Sequence, residues 1–239
     1  MNKFLCLMLV GIAASLTTFS RADIPPLPFF NPDAPKPPPA EPQKKPQPAG
    51  AVSVKEDFSS MAAGEVPDAL MVVDGAFEIA ELSGNKCLQL NAEPLVDAGV
   101  LLGRSLKNGG SVKAKIRATS RKRSFPKFGI GIGGTSGYRL LLIPAQKQIE
   151  VIRDDENLAT APAAWKSGAW FWMEFSSVPA AGGKSTLEGR IWEDGQPRPE
   201  KPLVTLAAEA PPAGKCSVWG APYAGTPVQF DDIEITSDK

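Results

Sequence analysis

The side chains best equipped for chemistry in this 239-residue chain crowd into its second half. Along Trp165–Phe175, a period of two puts Trp170, Trp172 and Glu174 on one side and Phe171, Met173 and Phe175 on the other. In Leu187–Gly195 the same rule sends Glu188, Arg190 and Trp192 away from Leu187 and Ile191, and in Cys216–Gly220 it sets Trp219 opposite Val218. On one sheet, Trp170, Trp172, Trp192 and Trp219 would line a single surface with Glu174, Glu188 and Arg190. Flat indoles stack on the C–H faces of sugar rings and neighbouring charges bind hydroxyls or acidic substituents, so such a surface suits carbohydrate. Burial of the same indoles under loops is the alternative. Glu174 and Glu188 also raise a glycosidase reading, which needs two carboxyls ~5–5.5 Å apart for retention or ~6.5–9.5 Å for inversion.

Histidine is absent, which removes Ser-His and Cys-His triads, His-ligated zinc and imidazole general bases. Phe128–Gly134 matches the dinucleotide pattern through Gly129, Gly131 and Gly134, but Tyr138–Ile143 continues it as a strand where that pattern needs a helix N-terminus. It reads as a glycine-rich hairpin. Lys113, Lys115, Arg117, Arg121, Lys122, Arg123 and Lys127 follow one another with no acid between, the mark of a solvated face and loop or of a site for anionic polysaccharide.

These residues must be placed by short strands. Thirteen candidates recur from Val52 onward, separated by Gly, Pro and Asn/Asp clusters, and no stretch holds a helical period. Ser111–Thr119 alternates most clearly, with Val112, Ala114, Ile116 and Ala118 against Lys113, Lys115 and Arg117. The expectation is an all-β, two-sheet antiparallel sandwich over residues 51–239, a length suited to one domain.

Ahead of it, residues 1–22 carry Lys3, an apolar run and the small-residue end Ser20-Arg21-Ala22, the pattern of a cleaved export signal too short to span a bilayer. Residues 23–50 hold 11 prolines and read as an extended spacer. Removing Lys3 and Arg21 leaves 24 basic against 26 acidic residues, a balance that argues against general polyanion binding, nucleic acid included. No later stretch spans a membrane, so the expected location is periplasmic or extracellular. Cys6 leaves with the signal; Cys87 and Cys216 then form one disulfide or stay as two buried thiols.

The Trp165–Phe175 strand, Gly189–Gly195 and the closing Gly225–Ile233 resemble later strands of concanavalin A-like lectin/glucanase (jelly-roll, LamG-like) domains of bacterial exported proteins, and Glu56–Phe58 resembles their first strand. The resemblance covers about residues 51–239. It implies a jelly roll, a frequent link to glycans, first and last strands that pair, and a structural calcium near Asp57, Asp231 and Asp232, with Glu56 alongside. The clustered Glu-x-Asp-x-x-Glu motif of the hydrolytic members is missing. The leading reading is a non-catalytic exported domain that contacts glycan or another envelope component through Trp170, Trp172, Arg190, Trp192 and Trp219. A glycoside-active enzyme and a protein-interaction domain without a sugar ligand are the alternatives.

Overall fold

The computed structural model describes residues 52–94, 97–107 and 109–237. The export signal, the spacer and Cys6 lie outside the described residues. Two antiparallel sheets stack face to face. The larger has the order β13 (Val204–Glu209), β12 (Lys184–Glu193), β11 (Trp170–Pro179), β6 (Gly110–Ala118), β15 (Val228–Ser237), β4 (Asn85–Leu90) and β3 (Phe77–Leu82), with β1 (Val52–Glu56) also pairing to β15. The second has the order β10 (Glu156–Pro162), β9 (Gln148–Arg153), β8 (Tyr138–Ile143), β7 (Lys127–Ile132), β14 (Gly214–Ala221), β5 (Ala98–Leu106) and β2 (Met71–Asp74). Among the described residues the one helical piece is a 3-10 turn at Ala181–Gly183.

Alternation in the sequence becomes alternation in space. Val112, Ala114 and Ile116 of β6, with Met173 and Phe175 of β11, point inward against Val100, Ile130, Leu140, Leu142, Val151 and Val218 of the opposite sheet. Each large apolar side chain so buried stabilises the fold by ~1.5–3 kcal/mol, and the cross-strand partners of β6 therefore send Lys113, Lys115 and Arg117 outward. The expected pairing of first and last strands is present, Val54 opposite Ile235 and Glu56 opposite Ile233.

β15 carries an irregularity between Asp231 and Glu234. Between Asp231, opposite Lys115, and Glu234, opposite Lys113, two residues face one, and Asp232 takes a positive φ of 47° that Asp tolerates better than most residues. This bulge resolves the pattern Phe230-Asp-Asp-Ile233, which has the wrong spacing for plain alternation: Phe230 and Ile233 both reach the core, while Asp231 stays on the outer face.

Candidate functional site

The outer face of the eight-stranded sheet is built in rows by strand register. Lys115, Trp172 and Trp192 lie side by side across β6, β11 and β12; the next row is Lys113, Glu174 and Arg190; on the other side Arg117 stands opposite Trp170. The Trp172 and Trp192 rings stack, with centroids 6.1 Å apart and planes inclined by 16°. The Lys113 ammonium sits 4.8 Å from the Trp172 ring on the other flank, so Trp172 is gripped between a cation and an indole. Its Nε1 donates to Asp194 Oδ1 at 2.8 Å, and Lys115 Nζ lies 3.0 Å from Asp194 Oδ2. Burial pushes the Asp194 carboxyl up, but the hydrogen bonds from Lys115 and Trp172 outweigh it and hold the group below the usual range.

Beside this strip a cavity of about 230 Å³ opens, walled by Trp170 and by Asn85 next to the β3–β4 turn, with Lys115, Arg117, Cys87 and Asp231 around its floor. Asp231 is only 2 % exposed. Its Oδ2 accepts from Asn85 Nδ2 at 2.7 Å and its Oδ1 from the Asp232 amide at 2.8 Å. Burial, reinforced by the neighbouring Asp232 charge, pushes its carboxyl up to about 6 against the pull of Lys115 and Asn85. Arg117 donates through Nε to the Gly168 carbonyl at 2.8 Å and through Nη1 to Gln229 Oε1 at 3.1 Å. A ring-sized ligand here would meet one indole wall, an amide, a carboxyl and two cations.

Trp170, Trp172, Trp192 and Arg190 thus share the expected face, but Arg190 is 7 % exposed and serves another purpose. The segment after β12 folds back over it, tied by Asp194 N to the Trp170 carbonyl and by Leu203 N to the Gly189 carbonyl. Under it Arg190 Nη2 donates to Glu188 Oε2 at 2.9 Å, its Nη1 reaches Glu174 Oε1 at 3.5 Å, and Arg198 clasps both oxygens of Glu174. Glu174 and Glu188 are therefore not a carboxyl pair flanking an open cleft; guanidinium groups occupy the oxygens that proton transfer would need.

Trp219 corrects the sequence expectation most sharply. β14 belongs to the seven-stranded sheet, so its indole lies on that sheet's outer face, 2 % exposed, away from the other three. The two thiols are also separated. Cys216 faces the core between the sheets, whereas Cys87 lines the outer cavity, and both are free; side chains pointing to opposite sides of a sheet cannot meet the ~3.8 Å Cβ spacing of a bridge. Burial pushes them up to about 12 and about 11 respectively, so they stay protonated.

The expected calcium site does not assemble either. Asp57 turns its carboxylate to the amide and hydroxyl of Ser59, Asp231 is committed to Asn85 and the Asp232 amide, and Asp232 lies 3.8 Å from Lys115. Among the described residues no three Asp, Glu or Cys side chains converge as a metal ligand set. The glycine-rich Phe128–Gly134 is strand β7 and its turn into β8, as expected. Asn85, Lys115, Arg117, Asp194 and Asp231 are the site residues that sequence reading did not place together. Lys115 and Arg117 carried a signal, in the alternation of β6; Asn85 carried none.

No protein-family model matches this chain, and no curated protein matches it in sequence. Solved structures do resemble it in fold. The carbohydrate-binding module CBM66 from Bacillus subtilis superposes with a TM-score of 0.50 at 10 % identity, covering 70 % of this chain and 94 % of its own. The carbohydrate recognition domain of Emp47p gives 0.53 at 10 % identity over 77 % of this chain and 93 % of its own. The exoplasmic/lumenal domain of VIP36, in a Ca²⁺/Man-bound form, gives 0.51 at 10 % identity over 77 % and 88 %. The fold is the concanavalin A-like jelly roll.

Proposed function

We propose that this protein is an exported carbohydrate-binding domain, carried on a proline-rich spacer, and that the outer face of its eight-stranded sheet is the binding surface. The observation that carries the reading is the continuity of Trp192, Trp172 and Trp170 with a polar cavity holding Asn85, Asp231, Lys115 and Arg117. Indole surface supplies apolar contact to the C–H face of a sugar ring, and the cavity supplies donors and acceptors at its rim, the mix expected of a small-ligand site. About 230 Å³ falls below the ~300–1,000 Å³ of drug-sized pockets, so the cavity takes one ring while neighbouring rings lie on the strip. Carbohydrate-binding modules and recognition domains among the fold neighbours support the reading.

The experiment is a glycan array probed with wild type and with Trp170→Ala. Definite hits that fade at least tenfold in the variant support the proposal. Hits that survive Trp170→Ala unchanged would move the site elsewhere, and a blank array for the folded wild type would remove it.

A further inference from the structure

The cations on this face are not equivalent. Lys113 lies 2.9 Å from Glu234, Lys115 3.0 Å from Asp194, Arg190 2.9 Å from Glu188, and Lys184 pairs with Glu209. Arg117 is the exception on β6, β11 and β12: among the described residues it has no carboxylate within 4.0 Å. Its two hydrogen bonds go to neutral acceptors, the Gly168 carbonyl and Gln229 Oε1, and neither uses Nη2. Gln229 is held in turn, Nε2 donating to Gln89 Oε1 at 3.0 Å, and Gln89 Nε2 donates to Glu78 Oε1 at 3.1 Å. A chain of amides thus fixes the guanidinium plane at the cavity wall without neutralising it.

We infer that the cavity selects acidic sugars, with Arg117 receiving the ring's carboxylate or sulfate. This rests on the carbohydrate-binding reading and names the ligand class for it. A planar guanidinium with free N–H groups suits a planar or tetrahedral oxyanion, and a pre-positioned one loses little side-chain freedom on binding. Asp231, the acid of the cavity, opposes this weakly, because it is recessed and both its oxygens already accept hydrogen bonds. The surroundings add attraction. From Lys113 to Lys127 there is no acidic residue, and the strand that carries Arg117 runs into a loop where Arg121 and Ser124 pair backbone to backbone. That pairing puts Lys122 and Arg123, both exposed, at the tip. An acidic polymer leaving the cavity along β6 would meet positive charge at each step.

The test uses matched probes: oligogalacturonate against its methyl ester, and a sulfated oligosaccharide against its desulfated form, titrated calorimetrically into wild type, Arg117→Gln and Arg117→Lys. One acidic probe should bind wild type at least tenfold tighter than its neutral partner. Arg117→Gln should abolish that preference, so that acidic and neutral partners bind it equally, with an unchanged thermal unfolding midpoint showing that the variant is folded, and Arg117→Lys should keep part of the preference. Equal binding of acidic and neutral partners would overturn the inference and leave the carbohydrate reading standing. So would a preference that survives Arg117→Gln, or displacement of the acidic sugar by an equal concentration of free sulfate. No binding to any of the four probes would overturn the inference, and the carbohydrate reading would fall with it only if the glycan array were blank as well.

Discussion

Each sheet carries tryptophan and a basic residue on its outer face, yet the two faces are built to opposite ends. On the seven-stranded sheet, Trp219 is sunk into a trough. A Cβ on Gly99 would come within 2.5 Å of its ring, and one on Gly131 within 2.5 Å of Ser217 Oγ and 3.2 Å of the indole nitrogen. Ser217 accepts from Nε1 at 2.7 Å, and the Arg139 guanidinium lies 3.3 Å over the ring, itself held by Asp97 at 2.7 Å. The indole N–H is satisfied and the ring is covered, and the cavity of about 220 Å³ that opens beside Arg139 is lined by Asp97, Arg139, Arg153, Asp154 and Asp155 with no aromatic wall for a sugar ring. On the eight-stranded sheet, Trp170, Trp172 and Trp192 remain half-buried, no glycine trough receives them, and a cavity adjoins them. A Trp–cation contact therefore says little by itself; its neighbours decide whether it is packing or a site.

The comparison can be broken by mutation. Trp219→Ala should cost about 3–5 kcal/mol in urea unfolding, the range for truncating a buried aromatic, while leaving glycan affinity unchanged in the folded protein. Loss of affinity with little loss of stability would reverse the roles assigned to the two faces. Glu174→Gln should cost about 1.5–3 kcal/mol, since it removes the charge that Arg198 clasps and one of the two carboxylates facing buried Arg190 while Glu188 still pairs with it, again without changing affinity. Trp170→Ala should show the inverse pattern, at least a tenfold weaker Kd (~1.4 kcal/mol) and a smaller shift in the unfolding midpoint.

Smaller effects sharpen the picture of the cavity. With Asp231 raised to about 6, the folded state favours its protonated form; this group's contribution to stability is fully present below pH ~4 and is lost as pH rises through 6. Lys115, Arg117 and Asp232 stand around it. Acidic-sugar affinity should therefore strengthen as pH falls from 7.5 to 5.5, and Asp231→Asn should flatten both trends. A thiol-reactive probe should find neither Cys87 nor Cys216 in the native domain and both after denaturation without reductant; no reaction after denaturation would restore the disulfide.

Fold class was legible because alternation survives in strands buried on one face, as in Ser111–Thr119 and Trp170–Phe175. Of the fifteen strands among the described residues, β10 and β13 are the two outside the thirteen sequence candidates, and both are edges of their sheets, where one-sided pairing asks less of the side chains. Glu156–Pro162 has one large apolar residue, Leu158, and ends in proline. Which strands share a sheet was not legible, and this is where Trp219 and Cys216 were misplaced; the Asp57 carboxylate follows β1 beside β15 as expected but is captured by its local turn to Ser59. Alternation fixes a side within a strand and says nothing about which sheet that strand joins. The cavity was hidden for the same reason: Asn85, Arg117, Trp170 and Asp231 come from four strands, and β4 is brought beside β6 and β11 only through β15 and its bulge.

The most direct test follows the five indole N–H resonances of ¹⁵N-labelled protein while an array-positive oligosaccharide is titrated in. The Trp170 and Trp192 signals should move together and saturate with the binding curve, and the Trp219 signal should stay in place. Movement of Trp219 with the other two at rest would contradict the assignment of the binding face.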